Sequence, residues 1–203
     1  MCFVLCFHHN AIAKQIIMNY IIRQATKADS ISIARFFCMA LHREPSAEEL
    51  PEFAKIAERE DVLYSYRNAL MAEIDGKLVG MCLCYDGTGY HEIRLRTFAL
   101  FAALDDGQTE DEMDFEHFED ETQEGEYYID SLAVLPEYRC QGIATALMKA
   151  QIEKGASLGI PIATLLVDPD NPSAQKLYYD FGFKYHSDVY AFGQIFWKLS
   201  MDL

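Results

Sequence analysis

The stretch from Leu132 to Leu147, LAVLPEYRCQGIATAL, constrains the fold more than any other part of the chain. An apolar run ends at Pro136, Arg139, Gly142 and Ala144 follow in the spacing R-x-x-G-x-A, and helix-forming residues come next. A strand that feeds a Gly-bearing turn into a helix aims several backbone N–H groups at one point. That point carries the positive end of the helix dipole and suits a pyrophosphate. Gly142 lets the backbone approach such a group closely, because no Cβ intervenes. The turn is therefore expected to hold a phosphorylated cofactor. It is not a P-loop, since no Gly-Lys-Ser/Thr follows to hold a γ-phosphate and its magnesium. Nor is it the G-x-G-x-x-G of a dinucleotide fold.

A second motif lies about thirty residues on, at Asp168 to Phe183, DPDNPSAQKLYYDFGF. A strand-like run, Ile162 to Val167, precedes it. Asn171 is a good N-cap and Pro172 suits the first helical position. Gly182 closes the helix as a C-cap. Together the two motifs resemble those of the GCN5-related N-acetyltransferases. That family pairs a Gln/Arg-x-x-Gly-x-Gly/Ala turn with a later N-x-x-A-x-x-x-Y-x-x-x-G-F helix. Arg139, Gly142, Ala144, Asn171, Ala174, Tyr178, Gly182 and Phe183 occupy every named position, and the resemblance covers roughly residues 19 to 203.

The resemblance implies acetyl-CoA as co-substrate. Its pantetheine arm would lie along Leu132, Ala133 and Val134 as an added strand does. Its pyrophosphate would sit on the N–H groups of Arg139, Cys140, Gln141, Gly142, Ile143, Ala144 and Thr145. Asn171 and Tyr178 would face the thioester, with Tyr178 matching the family's general acid. An amine would attack directly, so the ammonium must lose a proton and the leaving thiolate must gain one. Some family members carry a carboxylate near the position that Tyr128 occupies here. The base is then expected at Asp130 or Glu126, or through water, with His91 a further candidate. Simple strand alternation puts Glu126, Tyr128 and Asp130 on one face, with Leu132 and Val134 further along it.

Elsewhere the pattern reads as strand and helix by turns: a strand at Tyr20 to Gln24, a helix at Asp29 to Arg43 and another at Ala47 to Arg59. Strands at Ala69 to Ile74 and Lys77 to Tyr85 flank Asp75-Gly76, a two-residue hairpin signal. Tyr90 to Leu104 has helical apolar spacing, and Tyr127 to Leu135 is the strand that enters the turn. Strands at Lys184 to Phe192 and Gln194 to Ser200 complete the chain. The expected fold is an α/β (α+β) three-layer domain like that of the GNAT family, a mixed central sheet flanked by helices.

Charge bears on the acceptor. The chain carries −15, of which Asp105 to Glu126 supplies −12 with no Lys or Arg, leaving −3 elsewhere. Such a segment is either a solvated loop or an electrostatic funnel that draws a cation. It disfavours nucleic acid, whose phosphates it would repel. Met113, Phe115 and Phe118 suggest that part of it packs on something. A small cationic amine is thus the preferred acceptor. A protein Nα or lysine amine is the alternative, and a non-catalytic acyl-CoA sensor is the reading from another class.

The first seventeen residues have no basic n-region and no convincing cleavage site, so they are read as an extension, not necessarily native, to a domain spanning 18–203. Thr26 and Asp29 then form a helix-starting capping pair. No apolar run is long enough to span a bilayer. The six cysteines lack zinc spacing and are expected as free thiols in a reducing cytoplasm. No metal site is expected, and a homodimer is left open.

Overall fold

The computed structural model describes residues 19–104 and 119–203. Most of the acidic segment, with Met113, Phe115 and Phe118, lies outside the described residues, as does the N-terminal extension. The described elements are β1 (Ile21–Gln24), α1 (Ser30–Ala40), α2 (Glu49–Ala57), β2 (Ala69–Ile74), β3 (Lys77–Asp86), α3 (Tyr90–Ala102), β4 (Glu126–Val134), α4 (Ile143–Ser157), β5 (Ile162–Val167), α5 (Pro172–Phe181), β6 (Lys184–Ala191) and β7 (Gln194–Asp202). The seven strands form one mixed sheet in the order β1-β2-β3-β4-β5-β7-β6. Only β4 and β5 run parallel, and α4 is the crossover between them.

Local chemistry accounts for the boundaries. Asp75 and Gly76 both adopt positive φ, 48° and 80°, as the tight turn between β2 and β3 requires. The Thr26 backbone N–H donates to the Asp29 carboxylate at 2.7 Å, completing the expected capping box ahead of α1. Arg23 grips the same carboxylate from β1 and holds it down to about 2. The opposite charge and its hydrogen bonds favour the ionised form.

Two packed layers cover the sheet. On one face, Ile143, Leu147 and Met148 of α4 and Ala174 and Tyr178 of α5 pack on Leu132 and Val134 of β4. On the other, Ile33, Phe36 and Phe37 of α1 pack with Phe98 of α3 against Met81, Leu83 and Tyr128. This is the three-layer fold read from the pattern. Helix α4 is pinned at the sheet centre by buried Gln151, which accepts from the Tyr127 hydroxyl at 2.7 Å and donates to the Cys82 carbonyl at 2.7 Å. Beside it the Tyr127 ring fills the space where a Cβ on Gly155 would sit, 2.6 Å away. The pin sets where the N-terminus of α4 points.

At the start of β4, Glu126 accepts from Lys198 at 2.7 Å and from the Thr122 and Thr164 hydroxyls. Both charged side chains are buried, at 9% and 8% exposure for Lys198 and Glu126. Lys198→Met strands a carboxylate without its counter-charge. It is expected to cost about 3–5 kcal/mol, read as a lower urea midpoint, and the double variant with Glu126→Gln should recover most of that.

Cys38, Cys82 and Cys84 are free and buried. Cys140 is disulfide-bonded, which differs from the expectation of free thiols. No helix among the described residues is long and apolar enough to cross a membrane.

Candidate active site

Strand β4 does not follow simple alternation. Its pairing with β3 runs Leu83 to Ser131 and then Cys84 to Ile129, so Asp130 is an extra residue, a β-bulge. The bulge turns the strand over. Tyr127 and Ile129 pack toward α4 and α5, and beyond the bulge Leu132 and Val134 take that same face. Tyr128 and Ala133 pack toward α1 and α3. This corrects the alternation expected from sequence, which put Tyr128, Asp130, Leu132 and Val134 on one side.

The bulge also parts the sheet. β4 pairs with β5 only from Glu126–Ile162 to Ile129–Leu165. Past Ile129 the strands diverge, while the pairing of β4 with β3 continues to Val134. Since the Leu135 N–H donates to the Val79 carbonyl, alternation turns the backbone groups of Leu132 and Val134 away from β3 and toward the gap.

At the end of the gap stands the turn. Cys140 and Gly142 both have left-handed backbones, with φ of 59° and 81°. Gly142 is the N-cap of α4, and no side chain caps that helix. The N–H groups of Ile143, Ala144 and Thr145, in the first turn, have no acceptor within the helix. Arg139 binds back to β4, its Nε donating to the Val134 carbonyl at 3.0 Å. A groove of about 190 Å³ forms over Leu132, Val134, Arg139, Gly142, Ala144 and Thr145, with Leu177 of α5 as its far wall. An uncapped helix N-terminus preceded by left-handed residues is an anion cradle. The residues expected to hold the cofactor pyrophosphate are thus brought together.

The residues expected around the thioester are less uniform. The Asn171 side chain accepts from the Ala174 N–H at 3.1 Å and is buried as the N-cap of α5. Tyr178 is only 2% exposed and packs edge-on against Phe183, in the cluster that holds Leu132 and Val134. His91 is exposed on α3 and shares a 3.1 Å hydrogen bond with Asp120. Glu126 is committed to Lys198. Of the candidate bases, Asp130 alone lines a cavity described here.

That cavity measures about 510 Å³. The first residues past the last β4–β5 pair, Asp130 and Leu166, both line it, so it opens where the sheet parts. Its walls include Phe37, Tyr64, Phe98, Phe101 and Phe196. Asp130 accepts from the Tyr85 hydroxyl at 2.6 Å and from the Ser131 hydroxyl at 2.5 Å. A second carboxylate, Glu121, also lines it, accepting from Tyr90 at 2.9 Å and from Tyr128 at 2.5 Å. Glu121 is 9% exposed. Burial, and next the charge of Asp130, push its carboxyl above the usual carboxylate range. The sequence places Glu121 in an acidic segment read as either a solvated loop or an electrostatic funnel. Nothing in its local pattern separates it from Glu119 and Asp120, because its partners come from α3 and β4.

The parted parallel strand pair has an anion cradle at its end and a carboxylate-bearing cavity at its opening. The model of the acetyltransferase (GNAT) family matches residues 34–183, and the chain belongs to that family. It is an N-acetyltransferase whose co-substrate is acetyl-CoA. An acetyltransferase crystal structure is similar at 29% identity and a TM-score of 0.72, covering 90% of this chain and 98% of that one. An N-acetyltransferase from Staphylococcus aureus Mu50 shares the fold at 23% identity and a TM-score of 0.73, covering 89% and 100%. A PaiA N-acetyltransferase from Thermoplasma acidophilum, solved with coenzyme A, shares it at 16% identity and 0.54, covering 92% and 100%. No curated protein sequence matches the chain.

Proposed function

We propose that the protein transfers the acetyl group of acetyl-CoA directly to the primary amine of a small molecule, with Asp130 receiving the ammonium proton and Tyr178 protonating the departing thiolate. The observation that carries this reading is the bulge at Asp130. One extra residue parts β4 from β5, giving the pantetheine arm a place beside Leu132, Ala133 and Val134. The same residue sets a carboxylate in the wall of the neighbouring cavity.

The cradle from Arg139 through Thr145 fits a pyrophosphate, and the bound thioester supplies the electrophile. The protein supplies position and proton transfer. Aromatic walls strip water from an entering ammonium, which favours its neutral form, while the carboxylate beside it favours the charged form until it takes the proton. Tyr85 and Ser131 hold the Asp130 carboxylate in place to take that proton. Tyr178 is proposed as the acid on the family motif and on its packing against the strand that flanks the gap. Glu126 is assigned no part in proton transfer, because its carboxylate already faces Lys198. A sensor that only bound acyl-CoA would need no carboxylate at that opening.

The test is a screen of amines that follows CoA thiol release. Tight acetyl-CoA binding with no turnover on any small amine, but turnover on protein Nα or lysine amines, would overturn the small-molecule reading. Tyr178→Phe keeps the ring and removes the donor. It is expected to lower kcat by about 10²-fold with acetyl-CoA affinity nearly unchanged. An unaltered kcat would move the acid role elsewhere.

A further inference from the structure

The cavity at Asp130 has a polar end and an apolar body. The polar end is made by two carboxylates. Asp130 and Glu121 are tied into one group of phenols: Tyr85 bonds Asp130, Tyr90 and Tyr128 bond Glu121, and the Tyr85 ring centroid lies 5.7 Å from that of Tyr128 and 6.1 Å from that of Tyr90. The body is a cluster of rings. Phe37 lies 4.1 Å from Tyr64, and Phe53 meets Phe101 edge-on at 4.9 Å, centroid to centroid. Among the described lining residues, the charged one on the α1–α2 side is Arg43, a cation. Arg43 lies over the Phe53 ring at 5.2 Å and pairs with Glu49.

Among the described lining residues carboxylates stand at one end only, which suits one ammonium. A polyamine needs a carboxylate or water for each further charge, and along the rings it would meet carbon and then Arg43. A peptide would have to place its backbone polar groups against the same rings, where they find few partners. A single ammonium on an apolar body satisfies both ends. It sits between the two carboxylates, and its body displaces water from the aromatic walls.

We propose that the acceptor is a primary amine carried on an aromatic or comparably bulky apolar body, its ammonium held between Glu121 and Asp130 and its body among Phe37, Phe53, Phe98 and Phe101. This rests on the acetyl-transfer reading above and adds the substrate class. Glu121 acts here as a specificity residue that holds the ammonium, while Asp130 takes the proton. Binding suits both carboxylates, since a cation between them relieves the repulsion that Asp130 exerts on buried Glu121.

The experiment compares 2-phenylethylamine, ethylamine, spermidine and a short lysine peptide as acceptors, with acetyl-CoA saturating. The expected kcat/KM for 2-phenylethylamine exceeds that for ethylamine by about 30-fold or more, the gain from burying a phenyl group. It should exceed that for spermidine and the peptide as well. In Glu121→Gln, KM for 2-phenylethylamine is expected to rise about 10-fold with kcat within about 2-fold, the pattern of lost uniform binding. Phe192→Ala removes a half-exposed ring at the cavity rim, so folding is not at stake. It should raise KM for 2-phenylethylamine and leave that for ethylamine alone. Calorimetric titration of 2-phenylethylamine into the CoA complex reads the seat without turnover.

Spermidine or the peptide as the better substrate, with full thiol release, overturns the substrate class and leaves acetyl transfer standing. Calorimetric binding without thiol release from any amine supports the seat and overturns the transfer reading. Absence of binding, or a KM indifferent to both variants, overturns the seat itself.

Discussion

Asp130→Asn is expected to lower kcat by about 10³-fold while acetyl-CoA binds as before, within the 10² to 10⁴ range of a positioned base. The amide keeps the shape of the carboxylate and removes its capacity to take a proton. It can still accept from one of the two hydroxyls that now hold it, Tyr85 or Ser131. The residual rate should carry a signature. With the Asp130 carboxylate gone and Glu121 held by two phenols, the variant depends on amine that is already neutral in solution. Its kcat/KM should therefore rise about tenfold per pH unit until the amine's own pKa is reached, while the parent enzyme levels off earlier. A folded variant with an unchanged kcat and an unchanged pH profile would remove Asp130 from the chemistry and return the role to water.

Gly142→Val is expected to weaken acetyl-CoA binding by at least about 100-fold in a domain that stays folded. A Cβ there would come between the backbone and the pyrophosphate, as the sequence suggests, and the backbone conformation adds a second reason. A Cβ at Gly142 would meet nothing nearer than the Tyr20 hydroxyl at 4.0 Å, so crowding within the protein is not the issue. The backbone is. Gly142 has φ of 81°, and a left-handed residue with a side chain costs roughly 1–2 kcal/mol, more when β-branched. Relief of that strain re-aims the N–H groups of Ile143, Ala144 and Thr145 that the pyrophosphate needs. Asparagine tolerates the left-handed region, so Gly142→Asn should retain more affinity than Gly142→Val. Calorimetry with CoA orders the variants. Equal and undiminished affinities would mean that the phosphates bind elsewhere.

Much of this protein was legible before folding because its signals are local. The Asp75-Gly76 turn, the Thr26–Asp29 capping box, the Asn171-Pro172 helix start and the R-x-x-G-x-A turn each depend on residues a few positions apart. Each specifies its geometry through its own backbone. Helix α1 is shorter than its apolar pattern, ending at Ala40 and not Arg43, because His42 takes a left-handed backbone (φ 56°) and the Arg43 N–H closes back on the Cys38 carbonyl. Where alternation was extrapolated through β4, the reading failed at one residue. A bulge is a relation between two strands, and Asp130 is extra only with respect to the pairing of Leu83 and Cys84.

The two carboxylates show the same division. Glu126 looked like a base on spacing alone. Lys198, seventy-two positions away on β7, makes it half of a buried ion pair. Glu121 looked like one of twelve acids in a segment that was either a solvated loop or a funnel. Tyr90 and Tyr128 draw it inside and give it a place in the cavity. The sequence by itself determined the three-layer fold, the family and the glycine turn proposed to cradle phosphate, since periodicity, capping and glycine placement act over a few residues. Only the tertiary structure decided which acids line the cavity, because burial and pairing of a charge are set by side chains brought together from distant parts of the chain.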